Sequence, residues 1–531
     1  MMRVTRIAIA LLVSSTMGLA ACSGGGAASS SAPGTLANGK TFTMALAGDP
    51  GNLDPSMSVL VPESQMSNLM YDNLLSVNSN GDIQPWLALE WSATTTKANF
   101  TLRPGVTCSD GSPLKASDVA ADLNFIANPA SHSPYLGLLV VPGLKATAND
   151  SNGTVNVTSA KPDSFLARNL GSIPIICGKG TRDRSLLARG SDGTGPYVLS
   201  KAQPNDQYTL TRRKDYAWRP GAATAIPQGL PDKIVVRIVT NEETAANLLI
   251  TGQINAATIR GTAQLRLLQQ GIQNQSFEQP PGVLVFNESP SNPTTDPAVR
   301  KALVEAADLT QVGKVMTNNQ GRPSQGVVAM TPRACTGNVL TGNIPSYNAA
   351  AANSTLDAAG WTLAAQGFRY KNGKRLTLKF SYPSGITEIA AGVELLQQEW
   401  KKIGADVSLE GLDTAGLGRV LQGAVPWDVG LAPFQFNLPS NLVPFVSGPT
   451  PPAGINFPHV ENADYQNLVN QAQTLTDKAS CPKWNAAETS LIKRVDIVPL
   501  MNSIAGVFVN KAAIQLDRGL ILGTSIRMHS K

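Results

Sequence analysis

Side chains able to do chemistry are few in this 531-residue chain, and their spacing argues against catalysis. Its three histidines, His132, His459 and His529, are far apart, which leaves little scope for a Ser-His-Asp site. Neither a G-x-S-x-G elbow nor an H-E-x-x-H helix occurs. Gly34-Thr35-Leu36-Ala37-Asn38-Gly39-Lys40-Thr41 does spell G-x-x-x-x-G-K-T. A phosphate loop of that pattern works only between a strand and a helix whose amide groups cradle the phosphate. Here a Ser/Gly/Ala-rich stretch precedes it and a strand-like run follows, so the match is fortuitous. Cys108, Cys177, Cys335 and Cys481 lack the C-x-x-C spacing of a metal site, and no resident metal or cofactor is expected. In an oxidising compartment these four would form two disulfides, with three connectivities open. Joining neighbours along the chain keeps each bridge inside one half; loops of 69 and 146 residues then contribute roughly 4 to 5 kcal/mol each in the chain-entropy model.

A fifth thiol, Cys22, follows Leu19-Ala20-Ala21 at the close of an apolar run that begins at Ile7, after Arg3 and Arg6. The run to Ala21 is shorter than the ~20 residues a membrane-crossing helix needs. The segment resembles the lipobox of bacterial lipoproteins. That resemblance implies a signal peptide over residues 1–21, a diacylglyceryl group on the Cys22 thiol, and cleavage just before it at the small residues Ala20 and Ala21. Residues 22–39, rich in Ser, Gly and Ala, read as a flexible tether, and paired acyl chains would hold the protein on the extracytoplasmic face of the cell membrane.

The charge is mild. Lys and Arg number 43 against 37 Asp and Glu, a net of +6 that falls to +4 once Arg3 and Arg6 are removed. So small and scattered an excess gives no argument for nucleic acid as a partner. A hydrophobic content of 42% with 15% charged residues describes an ordinary soluble chain able to bury cores, and the length suits two or three domains or lobes.

Strand-like and helix-like segments alternate irregularly, which argues for α/β lobes. Thr41 to Ala47, Phe100 to Leu102, Lys233 to Val239, Leu376 to Phe380 and Val407 to Leu409 read as strands. Helices are expected from Ser64 to Leu75, from a Ser117-Asp118 cap to Ile126, from Glu242 to Thr251, after Asp296-Pro297, and from Ile389 to Ile403 with Gly404 as the stop.

Several segments, in order along the chain, are similar to one family. They are Asp49-Pro50-Gly51-Asn52-Leu53-Asp54-Pro55, Tyr71-Asp72-Asn73-Leu74-Leu75, and Leu102-Arg103-Pro104-Gly105-Val106-Thr107-Cys108-Ser109-Asp110-Gly111-Ser112-Pro113, where Cys108 replaces an aromatic residue. Gly193-Thr194-Gly195-Pro196-Tyr197, Tyr216-Ala217-Trp218, Asp296 to Leu303, Leu356 to Trp361 and Asn372-Gly373-Lys374 follow. Together they resemble the extracytoplasmic solute-binding proteins of peptide-type ABC importers, solute-binding protein family 5, which bind oligopeptides, dipeptides or nickel. The resemblance implies an α/β, two-lobed periplasmic-binding-protein-like fold with two hinge crossings and an extra subdomain in the first lobe. Lobe I would comprise 40–60, 190–282 and 500–531, with 61–189 as its extra subdomain and 283–499 as lobe II. Crossings are expected near Gly282 to Glu288 and Ile497 to Ser503.

By the same likeness Asp49 falls on a ligand-facing loop, although a turn residue before Pro50 is an equal reading. In lobe II, Trp427 to Asn437 falls where relatives carry an acid for a peptide's α-amine, yet no acid lies between Leu431 and Phe445. Phe434 and Phe436 would share one face of a strand, opposite Gln435, and form an apolar ligand wall with Asn437 as a polar contact; core packing is the alternative. Arg260 is a further candidate from lobe I. The expected function is therefore non-enzymatic: a monomeric, lipid-anchored binder that captures a small solute, short peptides first, and delivers it to an ABC permease. Oligosaccharides, amino-sugar compounds and metal chelates stand behind peptides, and a family-like protein regulating an envelope enzyme by contact is the alternative of a different class.

Overall fold

The computed structural model describes residues 35–219 and 227–530; Cys22, the signal segment and most of the tether lie outside them. Two large sheets form the two lobes. In the first, seven strands run in the order Gln273–Gln279, Ser503–Val509, Ala256–Ile259, Thr41–Leu46, Lys233–Ile238, Gln207–Arg212, Tyr197–Gln203. Thr41–Leu46 pairs in parallel with both neighbours and every other pairing is antiparallel. The second sheet orders Asp406–Leu412, Thr377–Pro383, Val429–Ala432, Val283–Phe286 and Ile497–Pro499. Its fully buried strands, such as Val283–Phe286 and Val429–Ala432, read as continuous apolar runs because helices or loops cover both faces.

The chain crosses between the sheets twice. Pro280-Pro281-Gly282 leads from Gln273–Gln279 into Val283–Phe286, and Leu500-Met501-Asn502 leads from Ile497–Pro499 into Ser503–Val509. Gly282 is required at the first crossing, since a Cβ there would lie 2.2 Å from the Leu431 side chain.

A four-stranded antiparallel sheet, ordered Ala88–Ala93, Lys97–Leu102, Thr154–Thr158, Lys145–Asn149, carries a separate core with helix Ala116–Ala127, built on Leu74, Phe100, Leu123, Val155 and Leu170. The expected subdomain limit of 61–189 differs from this core at both ends. Helix Val61–Met70 packs through Met66, Leu69 and Met70 against Phe42 and Met44 of the seven-stranded sheet, where Ile176 and Leu187 also lie. That helix begins earlier than the Ser64 expected, because Pro62 suits the first turn, and it ends at Met70 as Tyr71 turns extended. Ser117 does not cap its helix; its hydroxyl donates to Asp150, and the Asp118 carboxylate accepts the Lys115 N–H instead.

Three of the motif segments converge on Asp72. Its carboxylate accepts from the Thr194 hydroxyl at 2.9 Å, the Tyr216 hydroxyl at 3.0 Å and the Trp218 indole N–H at 2.8 Å. Burial still pushes this carboxyl up to about 6 against those donors. Disulfides join Cys108 to Cys177 and Cys335 to Cys481, the pairing of chain neighbours among the three connectivities.

Candidate functional site

Between the lobes lies a cleft of three adjoining cavities. The first, about 240 Å³, sits at the crossings: Gln279, Pro280 and Pro281 line it from the first, and Ser503 and Ile504 adjoin the second. Lobe I adds Arg260 and Gln264, and lobe II adds Thr317, Asn318, Ile386 and Glu388. A cavity of about 260 Å³ opens between helix Val61–Met70, the subdomain residues Tyr135 and Leu139, and lobe II residues Met330, Asn437 and Leu438. The remaining cavity, about 210 Å³, is sunk into lobe II and lined by Trp427, Phe434, Phe436, Phe445 and Phe457 with aliphatic neighbours. Gln435 lines all three.

The Trp427 to Asn437 segment thus supplies cleft wall, but not as the strand expected. Strand Val429–Ala432 ends before Pro433, and residues 433–437 run as irregular chain. Phe434 and Phe436 nevertheless lie side by side, ring centres 5.2 Å apart, and Phe445 sits 5.3 and 5.4 Å from them. Phe434 is buried, whereas Gln435 is exposed and Phe436 and Asn437 are half-buried at the cavity walls. Nothing in local spacing marks Phe445 or Phe457 as members of this wall.

Asp49 does not line any of these three cavities. Its carboxylate accepts the Gly51 N–H at 2.8 Å, the Asn205 N–H at 2.5 Å and the Tyr208 hydroxyl at 2.9 Å. Burial opposes ionisation, but the Asn205, Gly51 and Tyr208 donors outweigh it and hold the carboxyl below the usual carboxylate range. Its acceptor positions are therefore committed to a lobe I turn, and the turn reading is the one the geometry supports. Arg260 does reach the cleft, though its guanidinium pairs with Glu242 at 3.2 Å and its own N–H donates to the same carboxylate at 2.8 Å.

Polar groups that sequence reasoning missed include Glu388 and Arg518, which line the first and second cavities. Glu63 stands just behind the second, where the Ser67 hydroxyl on the cavity wall donates to it. Burial pushes the Glu63 carboxyl up to about 8, and its Oε2 has no hydrogen-bond partner. Among the described residues, no group of three or more His, Cys, Asp or Glu is placed to hold a metal ion, and no helix is long and apolar enough to cross a membrane.

A cleft between two lobes joined by two crossings is the architecture of a solute trap, and the family comparison decides which. The model of the bacterial extracellular solute-binding proteins, family 5, matches residues 82–450, more than half of the chain. The chain belongs to this family. Among the relatives of this solute-binding protein, the periplasmic murein peptide-binding protein MppA of Escherichia coli is 24% identical over 485 residues, covering 85% of this chain and 86% of its own. The nickel-binding periplasmic protein of Escherichia coli is 26% identical over 384 residues, covering 69% of this chain and 71% of its own. The fold is shared with the ABC transporter substrate-binding protein CtaP of Listeria monocytogenes, with a TM-score of 0.77 at 18% identity over 93% of this chain and 100% of that one. The family is one of binding proteins, and the two-lobed α/β architecture of this solute-binding protein is that of its structural neighbours.

Proposed function

We propose that this protein captures a small solute, short peptides being the leading class, between its two lobes and delivers it to an ABC permease from the extracytoplasmic face of the membrane, anchored by lipid on Cys22. The observation that carries this reading is a cleft lined from both lobes and from the first crossing, beside the second, with Gln435 reaching every part of it. A solute can shift a hinge equilibrium only through contacts that differ between its states, and groups from both lobes around one cavity provide them. The anchor reading is supported by Leu19-Ala20-Ala21-Cys22 and the tether after it.

The test of capture is thermal unfolding of the soluble form beginning at Ser23 against peptides, oligosaccharides and nickel chelates. Solute at ~100 times its dissociation constant stabilises by about 2.7 kcal/mol, a readily measured rise in melting temperature. A response confined to peptides supports the reading, and a folded protein that answers to none of the panel sinks it. For the anchor, Cys22→Ser should release the protein from the membrane fraction and abolish incorporation of labelled palmitate.

A further inference from the structure

The cavity sunk into lobe II has a chemistry of its own. Strand Val429–Ala432 forms one wall, and Gly430 lets Val285 and the Trp427 ring pack close against it: a Cβ there would come within 3.1 Å of Val285 and 3.3 Å of the Trp427 ring. The roof is helix Thr414–Leu421, whose Leu417, Val420 and Leu421 recur at i, i+3 and i+4 and so lie on one face. No charged residue lines it, and of its two polar side chains besides the Trp427 indole, the Ser381 hydroxyl donates to Glu410 while Gln435 stands at the mouth. The volume of about 210 Å³ exceeds the ~150 Å³ at which an apolar protein cavity stays dry and takes up benzene.

We propose that this pocket receives one uncharged aromatic ring of the cargo, making Trp427, Phe436, Leu417 and Leu421 determinants of specificity. The inference deepens the solute-binding reading and rests on it. An ionised group entering here would be strongly disfavoured, because no acid or base is present to receive it. A quaternary ammonium in an aromatic cage fits less well, since the rings spend their faces on one another: Phe434 stacks on Phe436 at 5.2 Å with planes 27° apart. A phenyl or indole group can enter past Gln435, with the rest of the solute remaining in the polar cavities on either side.

The experiment measures binding by the Ser23-onward protein with indole alone and with two blocked peptides, N-acetyl-Ala-Phe-Ala-amide and N-acetyl-Ala-Ala-Ala-amide. Choline and the same panel used for capture run in parallel, and Trp427→Phe identifies the fluorescence change that belongs to the pocket. Indole should bind, and the phenylalanine peptide should bind about tenfold or more tighter than the alanine one, the scale set by burying one ring. Leu417→Trp, which fills the pocket, should abolish both effects, with its melting temperature without solute showing that it folds. Leu421→Trp, at a more exposed position on the same helix, is the second filler should the first fail to fold. Silent indole together with equal affinity for the two peptides overturns the proposal, as does choline binding lost in the filled variants. Solutes that bind equally well with and without a ring defeat the pocket but leave the capture reading intact. Indole binding with no response to any other solute would do the reverse.

Discussion

Lobe II meets lobe I and its subdomain in regions that differ in what fills them. Around Gln435 the surfaces stand apart and leave the cavities of the cleft. At Ser164 and Phe165 of the subdomain they are in contact. Phe165 is 1% exposed and belongs to the lobe II core, its ring 6.1 Å from Trp484. The Ser164 hydroxyl donates to the Ala472 carbonyl at 2.7 Å, its own carbonyl accepts the Asp477 N–H at 2.7 Å, and Arg168 pairs with Asp477 at 2.8 Å. Lys478 pairs with Asp82 beside them. One meeting place is completed by the protein itself and the other is left for a solute. The sealed contact orients lobe II against the subdomain, so opening of the cleft must either break it or carry the subdomain along.

The sharpest way to break that contrast is Phe165→Ala. Removing a fully buried ring from a core should cost about 3 to 5 kcal/mol in denaturant unfolding. Small-angle scattering should also report a larger radius without solute. A loss of stability with no change in radius would make Phe165 ordinary core rather than a link between lobes. Arg168→Ala should cost about 2 kcal/mol, because Arg168 is buried and its charged hydrogen bonds are lost, although Asp477 keeps access to water.

Acidity distinguishes the two places more gradually. Burial pushes Glu63, behind the cleft, up to about 8, and Glu488, on the helix that carries Trp484, up to about 7. Both folded pKa values lie above the ordinary 4.5, so native protein holds these protons more tightly than the unfolded chain. The resulting stabilisation is complete below the unfolded value and is lost as pH rises through 7 for Glu488 and 8 for Glu63. Unfolding free energy should therefore fall from pH 5 to pH 9, by up to about 1.4 kcal/mol per pH unit for each titrating group. Glu63→Gln should remove the upper step and Glu488→Gln the lower; profiles unchanged by both would disprove the assignment. The smallest effect is expected at Asp49. Asp49→Ala should cost about 1 kcal/mol through its lost turn bonds and leave solute affinity unaltered by calorimetry. A large loss of affinity would return Asp49 to the cleft.

Features decided by neighbours in the chain were readable before the fold was known. Asp296 accepts the Ala298 N–H at 3.0 Å and opens helix Pro297–Glu305 as the Asp-Pro pair predicts, and helix Thr387–Lys402 stops just before Gly404, at φ +88°. The cleft was readable in part. The segment Phe434 to Asn437 drew notice because it falls where relatives carry an acid that is missing here, and Arg260, a candidate from the turn Ile259-Arg260-Gly261, lines the cleft as well. Asp49 misled because a carboxylate in a loop looks the same whether it faces a ligand or its own turn. Phe445, Phe457, Glu388 and Arg518 carry no local mark at all.

By itself, then, the sequence determined the family, the Asp296 cap and the Gly404 stop, the alternation into α/β lobes and the poverty of catalytic groups, all of which depend on residue type within a few positions. Only the tertiary structure decided the disulfide partners, the sealed contact and the aromatic pocket. The physical reason is range: the Trp484 indole donates to Ser164 from 320 residues away, and no periodicity or cap encodes which of many apolar residues will meet across such a distance.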